Sequence, residues 1–210
     1  MTVSYPIPFP SSILKPAKVT IIPQSVVAVA ASQYTLQEQV QVHSGQRWKI
    51  SIEYPTLSDA MSRALSAFVL RLNGRQGSFL LADPSRLIPA GTSTGTPLVN
   101  GAGQSGNYLR TDGWTPGTTG ILAAGDYLQT GSGSTTRLYQ VTADADSDSG
   151  GNASIEVWPA LRQDASVPYD NAPIVTSGAM GVWRLAANEN PWDVTPPIRG
   201  AYTLTAWEVL

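Results

Sequence analysis

The 210-residue chain has no cysteine and a single histidine, His43. The first absence removes disulfides, thiolate nucleophiles and sulfur-ligated metals together, and leaves the redox compartment open. The second excludes any His pair or multi-His metal centre and leaves a His-based triad one candidate. Charge is scarce as well: Asp, Glu, Lys and Arg make up 13% of the residues, against roughly 25% in ordinary soluble domains. With 13 basic and 15 acidic residues and a formal charge of −2, the chain carries no basic footprint for nucleic acid. Its longest apolar run, Val26–Ala31, falls far short of the about 20 residues that a membrane-spanning helix needs. Met1–Pro6 has neither a basic region nor an apolar core, so it does not read as a secretory signal peptide.

What is present is neutral and polar: Gly, Ser, Thr, Pro, Asn and Gln are plentiful. A surface of that kind fits a protein packed among neighbours in an assembly, although extracellular β proteins share it. Between Gln46 and Pro55 the residues Trp48, Ile50, Ile52 and Tyr54 alternate with Arg47, Lys49, Ser51 and Glu53, the period-two pattern of a half-buried strand. Thr56-Leu57-Ser58-Asp59 reads as a capping box that starts a helix at once. Met61, Ala64, Leu65, Phe68, Val69 and Leu72 then form one apolar stripe, and Asn73-Gly74 supplies the positive φ of a helix end. Gly77–Pro84 returns as a short strand.

Residues 1–24 hold Pro6, Pro8, Pro10, Pro16 and Pro23, which favours an extended arm over a helix. Tyr5, Ile7, Phe9, Ile13, Val19, Ile21 and Ile22 make that arm too apolar for a free tail, so it is expected to dock on its own domain or on a neighbour. Val26–Ala31 is a small-residue strand. Tyr34–His43 continues as a polar one in which Gln37, Gln39 and Gln41 alternate with Leu36, Glu38, Val40 and Val42, and Ser44-Gly45 is expected to turn between two strands. From 85 to 173 the pattern becomes short strands between Gly-rich turns: Pro97–Val99, Tyr108–Thr111, Asp126–Gln129, Arg137–Thr142 and Ser154–Trp158, with Asp112-Gly113 as one of the turns. Five short strands without a helix suggest a small barrel or sandwich. Longer strands resume at Val182–Leu185 and Ala201–Val209. The expected class is therefore mainly β with one principal α-helix, a parent domain of residues 1–85 plus 174–210 interrupted by an inserted β domain at 86–173.

Several motifs carry chemistry elsewhere and fail here on context. Gly101-Ala102-Gly103-Gln104-Ser105-Gly106 matches the dinucleotide fingerprint in letters, but a strand follows it instead of the helix whose N-terminus would face a pyrophosphate. Asp144, Asp146 and Asp148 begin like a calcium loop, yet Ser149 holds the glycine position and Ile155 the twelfth, with Glu156 one residue late; a hairpin tip is the simpler reading. His43 lies beside Ser44 with no Gly-x-Ser-x-Gly elbow in the chain. The carboxylates Glu53, Asp59, Asp83, Asp126, Asp170, Glu189 and Asp193 could pair as in a glycosidase, but the sequence does not pair them. Asn152-Ala153-Ser154 is a glycosylation acceptor only in a secretory compartment. Of six tryptophans, Trp48, Trp158, Trp183 and Trp207 lie in strand patterns where burial is the default. Trp114 and Trp192 lie in turn-rich context and are the candidates for a glycan contact. No catalytic residue, metal or cofactor is assigned.

The order of features resembles distal tail proteins of long-tailed bacteriophages and the related proteins of tail-like particles. The likeness is carried by Gly45–Trp48 opening the alternating strand, the Pro55–Gly74 helix, Arg71–Pro84, Gly103–Gly106, Ala124–Tyr127, Arg137–Tyr139, Trp158–Arg162 and a closing strand ending Ala206–Val209. The opening hairpin departs from the Ser-Pro-containing pattern common in that family, reading Ser32-Gln33-Tyr34-Thr35-Leu36-Gln37. The resemblance implies a split β-barrel with a helix and a projecting belt hairpin, interrupted by a small barrel of the oligonucleotide/oligosaccharide-binding type. It further implies a non-enzymatic ring, usually hexameric, that joins the tail tube to the tip or baseplate hub and to fibres. Such a protein is made in the host bacterial cytoplasm and resides in the virion tail tip. On this reading Gln37, Gln39, Gln41, His43, Arg47 and Lys49 face the adjacent subunit. A carbohydrate-binding or receptor-binding accessory role, with the insert presenting Trp114, is the alternative, and a wall-degrading hydrolase is disfavoured by the missing His and Cys constellations.

Overall fold

The structure is a computed structural model that describes residues 3–13, 16–161, 170–195 and 199–209; at 194, 195 and 199 the description is of the backbone alone. Arg162 and Leu210, within the expected likeness, lie outside the described residues. The fold is mainly β with one α-helix among the described residues. In chain order the elements are β1 (Ile7–Pro8), β2 (Lys18–Ala31), β3 (Glu38–Leu57), α1 (Asp59–Leu72), β4 (Phe79–Ala82), β5 (Gly95–Val99) and β6 (Gly106–Trp114). There follow β7 (Tyr127–Thr130), β8 (Arg137–Val141), β9 (Ala153–Leu161), β10 (Met180–Leu185), β11 (Trp192–Thr195) and β12 (Arg199–Glu208).

Seven strands form the larger sheet in the order β1-β4-β10-β12-β3-β2, with β11 added to β12. The alternation of β3 does what its period requires: Trp48, Ile50, Ile52 and Tyr54 are buried and their neighbours are not. Against that face lies the helical stripe, of which Leu65, Phe68, Val69 and Leu72 are buried, while Met61 stays 40% exposed. The proline-rich arm docks on its own chain. β1 pairs in parallel with β4, and Ile7, Phe9 and Ile13 enter the core, where the Phe9, Phe68 and Phe79 rings meet at centroid distances of 5.0, 5.4 and 6.0 Å.

Three local expectations are corrected, each by a competing interaction. The helix is capped at Ser58, whose hydroxyl accepts the Met61 N–H at 3.4 Å; Thr56 and Leu57 stay in β3 because β12 pairs with it as far as Leu57. The Asn73 end is as expected, in the left-handed region with φ 51°. Ser44-Gly45 is not a turn but lies within the continuous β3. The chain reverses at Ser32–Gln37 instead, where the Ser32 hydroxyl accepts the N–H groups of Tyr34 and Thr35 and the Ser32 N–H donates to Gln37 O at 2.9 Å, a side-chain turn of the kind serine favours. Asp112-Gly113 likewise stays inside β6. Gly113 takes φ +76°, and a Cβ there would sit 2.4 Å from Thr96 O, so glycine serves a strand irregularity opposite β5 and not a turn.

The smaller sheet is a half-open barrel that runs β5-β6-β9-β8-β7, all antiparallel, and encloses a second core of Val99, Leu109, Ile121, Leu122, Leu128, Ile155 and Val157. Its two edges are joined by the returning chain. Asn171 and Ala172 exchange hydrogen bonds with Val99, Ile174 N donates to Pro97 O, and Val175 exchanges two bonds with Gln129 on β7. Where the sheets meet, Trp48 packs edge-on to Trp158 at 4.2 Å and Tyr127 at 6.2 Å, and its indole N–H donates to Leu138 O. Tyr127 at this junction and Tyr54, whose hydroxyl donates to Ile13 O elsewhere in the core, have hydroxyl pKa values pushed up to about 12 by burial, with the Asp83 carboxylate adding to the effect at Tyr127.

Candidate assembly surface

Beyond Ser25 and Gln46 the paired strands β2 and β3 leave the body as a two-stranded ribbon. Register places Val27 opposite Val42, Ala28 opposite Gln41, Val29 opposite Val40, Ala30 opposite Gln39 and Ala31 opposite Glu38. Directly opposed residues share a face, so the ribbon has one valine face and one alanine–glutamine face. The valine face has the parity of Trp48, Ile50 and Ile52, yet no described element buries it: Val27, Val29, Val40 and Val42 are 47, 58, 56 and 71% exposed. At the tip Tyr34 and Leu36 are almost fully exposed, and Leu36 holds φ 57°, a strained value for a bulky residue. A free two-stranded ribbon is marginal in water, and four exposed valines in register form an apolar surface open to a partner.

The six residues expected at a subunit contact fall on the opposite parity. Gln39, Gln41 and His43 are exposed on the ribbon, and Gln37 precedes it in the turn. His43, Ser44 and Gly45 together oppose Val26 at the irregularity where ribbon joins body, and a Cβ on Gly45 would lie 2.9 Å from Val26 Cγ2. Arg47 and Lys49 belong to the body. The Arg47 guanidinium carbon lies 4.0 Å and the Lys49 ammonium 4.9 Å from the centre of the Trp207 ring, and Arg47 Nε donates to Gln24 Oε1 at 2.8 Å. Sequence reading gives Val26–Ala31 only as a small-residue strand and so does not disclose the valine face; the alternation of Val40 and Val42 with Gln39 and Gln41 is the signal that points to it.

The other candidates are placed as follows. Trp114 is buried at the end of β6, 3% exposed, with its indole N–H donated to the Thr111 hydroxyl at 2.8 Å; its ring is not presented to solvent as its context suggested. Trp192 is 40% exposed and stacks one side on Tyr202 at 6.0 Å. The Asp144, Asp146 and Asp148 carboxylates do not converge. Each accepts from a different part of the backbone, at Ala124, at Gly120 and at Gly150 with Asn152. The Asn152 backbone and side-chain N–H groups hold the Asp148 carboxyl below the usual range. No cluster of three or more His, Asp or Glu suited to a metal occurs among the described residues. Asp126 accepts three backbone N–H groups, from Ala90, Gly91 and Ala123, and so fastens the connecting segment to the barrel. The Gly101–Gly106 loop joins two antiparallel strands, and Gln104 fills it by donating to Asn100, Gly101 and Arg110 carbonyls. A cavity of about 660 Å³ lies between β2, the Asp83–Arg86 segment and the barrel, over Trp48, Tyr127 and Gln140. No helix among the described residues is long and apolar enough to cross a membrane.

Compared with known proteins, the chain matches no family profile and no curated sequence.

Proposed function

We propose that this protein is a structural component that assembles with copies of itself through the β2–β3 ribbon, and that it serves as a ring at a phage tail tip. The observation that carries the first part is the valine face: four β-branched side chains in register, on a ribbon that no other described element covers. Laying that face on an adjacent copy removes it from water, at roughly 25 cal/mol per Å² of apolar area, and gives the ribbon the second layer it lacks. The tail-tip assignment rests on the sequence resemblance, with which the projecting hairpin, the helix α1 and the second sheet between β4 and β10 agree. In that role the ring joins tail tube, hub and fibres, and the chemistry is one of contact and not of turnover.

Native mass spectrometry of the purified chain, alone and mixed with tail-tube and hub proteins, tests the proposal. A closed oligomer, with six copies the expected number, supports it. A monomer at every concentration that also ignores tube and hub proteins overturns it.

A further inference from the structure

The outward side of the larger sheet carries a second surface, unlike the valine face in chemistry. Arg184 on β10 and Lys49 on β3 flank Trp207 on β12 in one cross-strand row, and Arg47 covers the same indole. Two cations within cation–π range of one ring, with a third beside it, repel each other. The described residues hold only two ion pairs, Lys18–Glu53 and Arg63–Asp59, so none of the three cations is paired with a carboxylate of the described residues. Arg47 is also fixed in place, through Gln24. The result is a preorganised row of donors on an aromatic base, a surface that gains from an anion.

The chain itself holds the complementary surface. Residues 86–173 carry 8 acidic and 4 basic residues, whereas the remainder carries 7 and 9. In the barrel Asp144, Asp146 and Asp148 are exposed while Ala145 and Ser147 between them are buried, so three carboxylates line one outward edge. Each is anchored by accepting backbone N–H groups, and none makes an ion pair among the described residues.

We infer that the Arg47–Trp207–Lys49–Arg184 row of one copy receives the Asp144–Asp148 edge of another. The contact is head-to-tail, joining two different patches, and so closes into a ring or continues as a filament. It rests on the reading that the chain self-associates, and adds to it a polar, salt-sensitive contact separate from the valine ribbon.

Sedimentation of the full chain at low and high salt tests this with two variant sets. Arg47→Glu/Lys49→Glu reverses the charge of the row, and Asp144→Asn/Asp146→Asn/Asp148→Asn removes the charge of the edge while keeping the oxygens that accept the backbone N–H groups. Each set is expected to weaken association at low salt by at least about tenfold with the melting temperature held. Combined, they weaken it no further than the stronger set alone, because they remove one shared contact. Association unchanged by Arg47→Glu/Lys49→Glu, or two losses that multiply in the combined variant, overturns the inference while leaving the ring reading standing. Duplex DNA binding that depends on Arg47 and Lys49, with self-association intact, also overturns it. A wild type that stays monomeric at all concentrations overturns both.

Discussion

Residues 38–45 and 46–57 belong to one strand, β3, and alternate in the same way, yet the second half has a core and the first half has none. Ile50 and Ile52 are 1 and 2% exposed; Val40 and Val42, of the same parity, are 56 and 71% exposed. The difference is not in the side chains, which are β-branched in both halves, but in what lies beneath them: α1 and the barrel under one, solvent under the other. Alternation therefore specifies a strand and a face, while the partner of that face is set by the rest of the chain or by another chain. On the proposed reading, ribbon and body are made of the same material and differ in when they are completed, the body on folding and the ribbon on assembly.

That comparison breaks most easily in the body. Trp183 is 2% exposed and donates its indole N–H to Leu81 O, so Trp183→Ala is expected to cost about 3–5 kcal/mol in denaturant unfolding. An alkaline titration probes the same core. Tyr54 and Tyr127 have pKa values near 12 in the folded chain and about 10 when unfolded, so burial of the neutral phenols favours folding fully below pH 10. That contribution is lost as pH rises from 10 towards 12, and the melting temperature falls over that window; Tyr127→Phe makes the fall shallower. Two strand glycines sharpen the contrast further. Gly113→Ala forces a Cβ against Thr96 O at positive φ and is expected to cost roughly 1–3 kcal/mol. Gly45→Ala meets only the Val26 methyl at the ribbon's root and costs less than about 1 kcal/mol. Smallest of all is Val40→Ala, within about 0.5 kcal/mol for the isolated chain, since no core loses a contact.

Much of the body is legible in the sequence because its signals are local and agree. Trp48–Tyr54 alternate, Leu65–Leu72 repeat at helical spacing, and the five strands of the barrel fall where β-branched and aromatic residues cluster. What was not legible depends on distant partners. Ser44-Gly45 has turn composition, but the Ser32 hydroxyl captures the turn twelve residues earlier and the strand runs through. Asp112-Gly113 is a turn dipeptide kept within the strand by β5, which pairs with Asp112 and Trp114 on either side of the irregularity at Gly113. Bonding of the barrel's two edges by Asn171–Val175 joins residues more than forty positions apart in sequence, which no local pattern encodes. Trp114 illustrates the same limit at a candidate site: its neighbours are turn formers, but Thr111, three residues back on the same strand, takes its indole N–H and the ring is buried. The polar face of Gln39, Gln41, Arg47 and Lys49 could be read from spacing, whereas the valine face needed the register of β2 on β3.

The claim that the ribbon is completed by another copy is tested most directly by native mass spectrometry of wild type beside Val29→Asp/Val40→Asp. The account predicts a closed oligomer for wild type and a monomer for the variant, with the same melting temperature for the dissociated chain. Equal assembly of both, or a variant that unfolds because those valines were needed within its own chain, would contradict it.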